Sequence, residues 1–207
     1  TIGYKINNKK TYCYEGSVFV AGSAIQWMRD KLNFFNKSSD TNNLYIKANK
    51  NEKIIFIPAL NGLGAPHWNS NIRGAIFGLT RNTGINDIIK ATLQSIAYQT
   101  FDLIQCMEKD ATKKISEMRI DGGMAKNDNF LKFLADILQI NILRPKNIET
   151  TALGSAYLAG IFSGVIKDTS DIKKIWKYNN KFKKKINIKK RNDLIKNWHY
   201  YIKILLN

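Results

Sequence analysis

The sequence has few cysteines, few histidines and few acids. Of 207 residues, two are cysteine (Cys13 and Cys106) and two are histidine (His67 and His199). Two cysteines define neither a disulfide framework nor a zinc-ligand pattern. They read as buried or half-buried thiols of a cytoplasmic protein, set in strand and helix interior. Neither histidine has a cysteine or an acid at ligand spacing, so no metal site is expected from them. No Ser-His-Asp or Cys-His arrangement is supported either. No run reaches the roughly 18 apolar residues of a membrane-spanning helix. The longest candidate, Ala152 to Ile166, is interrupted by Gly154, Ser155, Gly160, Ser163 and Gly164. It reads as a buried helix packed closely against a neighbour. A basic-then-apolar leader is lacking too. The chain opens without Met on the strand-like Ile2, Tyr4 and Ile6, which reads as the boundary of a fragment.

Acidic residues number 16 against 33 Lys and Arg, giving a net charge of +17. Such a balance raises nucleic-acid binding. The excess is uneven, however: from Lys173 onward lysine crowds the tail, interleaved with Asn and Ile, while Arg is sparse. Specific nucleic-acid surfaces favour Arg for bidentate contacts and aromatics for stacking. Lysine here reads as a replacement for other polar residues on solvated faces, under a coding bias toward A- and T-rich codons. No specific nucleic acid is expected as a partner. A non-catalytic basic module remains the lesser alternative, marked by affinity that falls steeply as salt rises.

What is present supports a folded domain. Apolar residues make up 44% of the chain, enough for a sizeable core and too many for disorder. Residues 1–14 read as two short strands joined at Asn7-Asn8-Lys9-Lys10. Helix is expected from about Ser23, and residues 36–53 read as a polar surface connection with a helical turn or two. Strands are expected at Ile54–Ile57 and Gly74–Gly78. The clearest period, Ile89, Leu93, Ile96, Thr100, Leu103 and Met107, predicts a long helix ending near Lys109, with Asn86 as its cap. A strand at Lys114–Ile120, a helix at Asn127–Leu138, a strand at Ile140–Leu143 and a helix at Thr151–Gly164 follow. Asp168–Lys174 and Asp193–Leu206 read as terminal helices. Strands followed by strand–helix alternation predict an α/β domain with a mixed sheet flanked by helices.

The best local chemical signal is Ile120-Asp121-Gly122-Gly123-Met124-Ala125-Lys126-Asn127. Two glycines after a strand and before a helix let the backbone approach a phosphate or ribose, with helix N–H groups facing the anion. The plainer reading is a tight turn with Asn127 as helix cap. Gly22 and Gln26, four apart, share one side of a helix. Asp30, Asp87, Asp102 and Asp136 lie in helical stretches and read as solvated or capping. No proton-transfer residue stands out.

Several segments together resemble a known family. They are Asn61-Gly62-Leu63-Gly64-Ala65-Pro66-His67-Trp68, Arg73 to Arg81, Asp87 to Gln99, Asp121-Gly122-Gly123 with Asn127, and Thr150 to Gly160. This order and spacing is similar to the FGGY carbohydrate kinases, which include glycerol kinases, xylulokinases and gluconokinases. The wording of the Asn61–Trp68 and Arg73–Arg81 segments is nearest to the glycerol kinases; another sugar or polyol kinase of the family is the alternative. Gln94 stands where the family signature commonly has Glu.

The resemblance implies an actin-like, ribonuclease-H-like ATPase fold and transfer of the γ-phosphoryl of Mg-ATP to glycerol. It implies a nucleotide-binding domain over 1–165 and a lysine-rich helical tail over 166–207. It also implies ATP contacts at Gly22, Gln26, Gly123 and Asn127, with Gly123 near the ribose and α-phosphate and Asn127 toward the base. ATP and Mg2+ are the implied cofactors. The implied partners are ATP or ADP, glycerol, an N-terminal domain of the same kinase and further copies of the complete enzyme. The family's catalytic Asp and glycerol-binding residues match no position here and are expected upstream.

Overall fold

The computed structural model describes residues Thr1–Asn207. Asn7 and Asn8 take positive φ angles of 47° and 63°, the backbone of a two-residue hairpin turn whose twist matches its strands. This turn joins β1 (Ile2–Ile6) to β2 (Lys9–Tyr12). Cys13 follows β2 and is exposed, while Cys106 is half-buried. The expectation that both thiols are shielded is therefore corrected for Cys13, because the hairpin lies outside the core. Next come α1 (Gly22–Asp30), a one-turn 3-10 helix (Ser38–Asp40) and α2 (Thr41–Lys47). The antiparallel pair β3 (Ile55–Ile57) and β4 (Ala75–Phe77) leads into α3 (Ile85–Ala111).

The spine of the molecule is α3, whose 27 residues realise the strongest period in the sequence. It buries Ile89, Leu93, Ile96, Ala97 and Ile104 in one apolar cluster with Leu131, Leu134 and Ile137 of α4 (Asp128–Leu138). Each buried Ile or Leu among them contributes about 1.5–3 kcal/mol. Asn86 does not cap this helix. Gly84 occupies the N-cap position, and Asp87 accepts from the Gly84 N–H at 2.9 Å and from the Asn49 N–H at 2.6 Å. A carboxylate at the third helical position reaches back to free donors and sits at the positive end of the helix dipole, which Asn86 cannot match.

Three strands form the mixed sheet. β5 (Glu117–Arg119) runs parallel to β6 (Asn141–Pro145), and β7 (Tyr178–Phe182) runs antiparallel to β6. The other strands stand apart as the two antiparallel pairs. α5 (Thr150–Phe162) and α6 (Thr169–Ile175) lie between β6 and β7, and α7 (Ile188–Leu206) closes the chain. α5 overturns the expectation of a buried helix, since none of its residues is buried and Phe162 is 96% exposed. Its apolar composition suits burial, but no other helix or strand of this chain lies over it.

The lysine-rich tail is integral to the core. It supplies β7, which the sequence does not announce, and α7 brings in Ile195, Trp198 and Ile202. Trp198 is fully buried and stacks on Tyr98 with ring centroids 5.3 Å apart. Its Nε1 donates to Asp102 Oδ2 at 2.8 Å, and His199 Nε2 lies 2.6 Å from Asp102 Oδ1. Asp102 is thus neither solvated nor a cap; it is a buried anchor joining α3 to α7. Asp87 caps α3 as expected, whereas Asp136 accepts from the Lys185 and Ile186 N–H groups of the loop before α7 and caps no helix.

The hydrogen bond that His199 donates to Asp102 holds it above the ordinary histidine range, whereas burial pushes His67 below it. The folded chain therefore favours protonated His199 and neutral His67. The contribution of His199 is complete below its unfolded pKa of about 6.5 and is lost as pH rises through its raised folded value. His67 acts oppositely and lowers stability as pH falls through about 6.5. Against a double His67→Gln/His199→Gln variant, the His67→Gln variant, which keeps His199, loses stability to urea as pH rises above about 6.5. The His199→Gln variant, which keeps His67, gains stability as pH rises toward about 6.5 from below. Slopes of the same sign would contradict this pairing.

Candidate functional site

The loop after β5 turns on two glycines with different duties. Gly122 takes a φ of 72°, in the left-handed region where a side chain is strained. Gly123 needs no unusual φ, but a Cβ added there meets nothing within 4 Å. It begins a one-turn 3-10 helix (Gly123–Lys126) that opens without a side-chain cap. Arg144 at the end of β6 pins this turn. Its guanidinium donates to the Ala125 carbonyl at 3.0 Å and to Asp128 Oδ1 at 2.7 Å, and also to Asn179 and Asn180 of β7. The Gly122 N–H donates to the Ile148 carbonyl at 3.1 Å. The glycine turn is thus rigidly held from behind, with its open side free.

That open side faces a cavity of about 570 Å³, within the ordinary size range of small-molecule sites. All four sequence-predicted residues line it: Gly22 and Gln26 from α1, Gly123 and Asn127 from the glycine turn. α1 also opens without a side-chain cap or an acid in its first turn. Two uncapped helical N-termini therefore border one space, which suits an anion. Lys126 adds a cationic amine. The Gln26 side chain is exposed, while Asn127 is only 7% exposed.

Asn127 combines the two readings of it. Its Oδ1 caps α4 by accepting from the Phe130 N–H at 2.9 Å, and its Nδ2 donates to Thr41 Oγ1 at 3.2 Å. It contributes a fixed wall to the cavity, and both polar atoms of its amide are engaged within the protein.

Sequence reasoning missed the opposite wall. Ser38, Ser39, Thr41, Asn42 and Asn43 line the same cavity. They belong to the stretch read as a surface connection, yet Thr41 is 3% exposed. The Thr41 hydroxyl donates to the Ser38 carbonyl at 2.7 Å. Asn129 binds Asn42 through its side chain and its backbone N–H, which fastens α2 to α4. The only available signal was a dense run of hydroxyls and amides between Ser38 and Asn43, without apolar periodicity.

The lining contains no carboxylate, and no cluster of three metal-ligating acids, histidines or cysteines occurs in the chain. This surface provides hydrogen-bond donors, hydroxyls and one cation, which can hold and orient an anionic ligand. It provides no base.

Comparison with known proteins gives the same outline. Residues 3–162 match the C-terminal domain model of the FGGY family of carbohydrate kinases. A glycerol kinase of Pediococcus pentosaceus is 48% identical over 198 residues, which is 96% of this chain and 39% of that protein. One from Listeria monocytogenes is 45% identical over 203 residues, or 98% of this chain and 41% of that protein. The chain thus spans about two fifths of the length of these relatives. Among solved structures, Plasmodium falciparum glycerol kinase with ADP superposes with a TM-score of 0.91 at 33% identity, covering 100% of this chain and 42% of that one. A xylulose kinase of Lactobacillus acidophilus reaches 0.72 at 26%, covering 88% and 37%. The fold is accordingly the actin-like, ribonuclease-H-like one expected, with the mixed sheet reduced to three strands. From the segments quoted in order, the domain match and these identities, the chain belongs to the FGGY family of carbohydrate kinases, as a C-terminal domain.

Proposed function

We propose that this chain is the ATP-binding part of a glycerol kinase, which transfers the γ-phosphoryl of ATP to glycerol and gives sn-glycerol 3-phosphate. The observation that carries this reading is the convergence of Gly22, Gln26, Gly123 and Asn127 on one cavity, with uncapped helical N-termini at its edge. The ADP in the Plasmodium glycerol kinase supports a nucleotide as its occupant. On this reading residues 1–165 form the nucleotide-binding domain. Residues 166–207 pack on it through Trp198 and β7.

Each group has a physical task. N–H donors of α1 and of the Gly123 turn neutralise phosphate oxygens, with Lys126 adding charge. Gly123 leaves room for the ribose and α-phosphate, and Gln26 offers a mobile amide. Asn127 fixes the wall against which the base lies. Mg2+ accompanies the phosphates in such a reaction. The residues here do not fit a site for it, since no carboxylate faces the cavity. Its protein ligands, the catalytic Asp and the glycerol contacts are assigned to the remaining part of the kinase. The complete enzyme is read as a self-associating protein of the cytoplasm. No helix in this chain is long and apolar enough to cross a membrane.

Phosphoryl transfer depends chiefly on positioning and charge neutralisation, with a base accepting the hydroxyl proton. Lack of a general base alone costs about 10²–10⁴ in rate. The chain by itself is therefore expected to form no glycerol 3-phosphate in a coupled assay, and to bind ADP weakly because it supplies only part of the cleft. Glycerol 3-phosphate production by the isolated chain refutes the division of labour. Absence of any ADP binding refutes the nucleotide site.

A further inference from the structure

The most one-sided charge in the molecule runs from the end of α6, through β7, to the first turn of α7. Residues 172–192 hold nine lysines, one arginine and no acid. All nine lysines are exposed, and of these only Lys174 meets a carboxylate, that of Asp171 at 2.8 Å. The carboxylate of Asp136, which touches the same segment, is spent on the Lys185 and Ile186 N–H groups. β7 is an outer strand of its sheet, with β6 on one side and no strand on the other. A charged side chain such as Lys181 protects an edge of this kind from unwanted pairing. Edge protection leaves Lys183, Lys184 and Lys185 after the strand unexplained. It also leaves Lys189, Lys190 and Arg191, which stand in the first turn of α7 without an acid among them. The helix dipole disfavours cations at that end. Replacement of polar residues by lysine on solvated faces gives no reason to place three there, whereas an anion brought from outside would offset all of them.

We propose that this segment is a docking surface for an anionic lipid bilayer, which the protein touches without crossing. Three observations select that partner. The charge is carried by dispersed lysines, whose compact ammonium groups suit a fluid layer of headgroups and need no fixed geometry. Apolar side chains are interleaved with them: Ile175, Tyr178 and Ile188 are 51%, 47% and 52% exposed. Basic residues that flank exposed apolar ones are the combination that seats a protein at the headgroup boundary. The groups that a nucleic acid would use are already engaged. Arg191 lies over the Phe101 ring, and the Arg119 guanidinium covers Trp176 at 3.7 Å, so neither a free arginine fork nor that indole face is open to bases. A second copy of this chain is disfavoured, because two bodies of charge +17 repel. None of the nine lysines lines the nucleotide cavity, so the docking surface stands independently of the nucleotide reading.

The test is co-sedimentation of the chain with vesicles made of equal parts phosphatidylglycerol and phosphatidylcholine. Binding is expected at low salt, is lost in about 0.5 M NaCl, and is absent with phosphatidylcholine alone. Each lysine near such a surface contributes a factor of about five. The triple variant Lys183→Gln/Lys184→Gln/Lys185→Gln is therefore expected to bind about 100-fold more weakly, with its thermal midpoint unchanged because those side chains are exposed. The pair Lys189→Gln/Lys190→Gln is expected to lose about 25-fold and to gain slightly in thermal midpoint, since it relieves the helix dipole. A control triple in the hairpin, Lys5→Gln/Lys9→Gln/Lys10→Gln, removes the same charge and is expected to lose far less. Equal losses in the two triples would show a response to net charge alone and overturn the proposal. Ile188→Ser leaves the charge intact and is expected to weaken vesicle binding about fivefold. A neutral Ile188→Ser makes the surface a general polyanion binder and overturns the bilayer as its partner. So does a poly(U) RNA that binds more tightly than the vesicles at matched salt. Displacement of the vesicles by ADP would place their phosphates in the nucleotide cavity and likewise overturn the proposal. Vesicle binding that persists in a chain unable to bind ADP keeps the docking surface and removes only the nucleotide site.

Discussion

Replacing Gly123 with valine is expected to weaken ADP binding by at least about tenfold, or about 1.4 kcal/mol, while leaving the thermal unfolding midpoint where it is. Both halves of this expectation come from one geometric fact. The space where a Cβ would lie is empty, with no protein atom within 4 Å, so the fold is expected to tolerate a branch there. That same empty space belongs to the cavity, so an isopropyl group there displaces ligand. Gly122 is a poor choice for the experiment, since its φ of 72° makes any side chain strained and confuses binding with folding. Gly22→Ala is the useful contrast. Its methyl would stand 3.8 Å from Met124 Cγ, an ordinary contact, and a milder loss is expected. Ligand-observed NMR with ADP suits affinities this weak. Unchanged binding by the valine variant removes the phosphate-side assignment of this cavity.

The largest effect on stability is expected at Asp102. Changing it to alanine leaves the buried Trp198 Nε1–H without an acceptor and His199 without its partner. Loss of one member of such a buried cluster costs about 2–4 kcal/mol, a large share of the stability of a domain this size. Asp102→Asn keeps an oxygen for one of the two donors and is expected to cost about half as much. Urea unfolding at pH 7 measures both. A change below about 0.5 kcal/mol in the alanine variant, the scatter of ordinary surface substitutions, shows that α7 is held by its apolar contacts alone.

The parts of the molecule that sequence revealed share a property: their signal is local. α3 and α4 show themselves by period, the hairpin by Asn7-Asn8, and the glycine turn by position between a strand and a helix. That Gly22 and Gln26 belong with Gly123 and Asn127 in one site was legible only through resemblance, because no spacing rule links positions so far apart. The Ser38–Asn43 wall was not legible, since a polar run has the same composition whether it meets water or a ligand. β7 is Tyr-Asn-Asn-Lys-Phe, and its asparagines hide a strand that pairing with β6 enforces. The Asp102–Trp198–His199 cluster joins residues nearly a hundred positions apart, beyond any window. α5 misled for the opposite reason: its apolar composition announces a buried helix, yet none of its residues is buried.

The Asn127 amide has one further consequence. It holds the first turn of α4 through Phe130 and the start of α2 through Thr41, and its side chain also bounds the cavity. A ligand in that space therefore touches α1, the Ser38–Asn43 wall and the glycine turn at once. Occupancy and local unfolding become a single thermodynamic cycle. At tenfold its Kd, a ligand that binds only the closed arrangement raises the free energy of opening by about 1.4 kcal/mol. On the proposed nucleotide reading, amides of the stretch around Thr41 and Asn127 are expected to exchange more slowly as ADP is added.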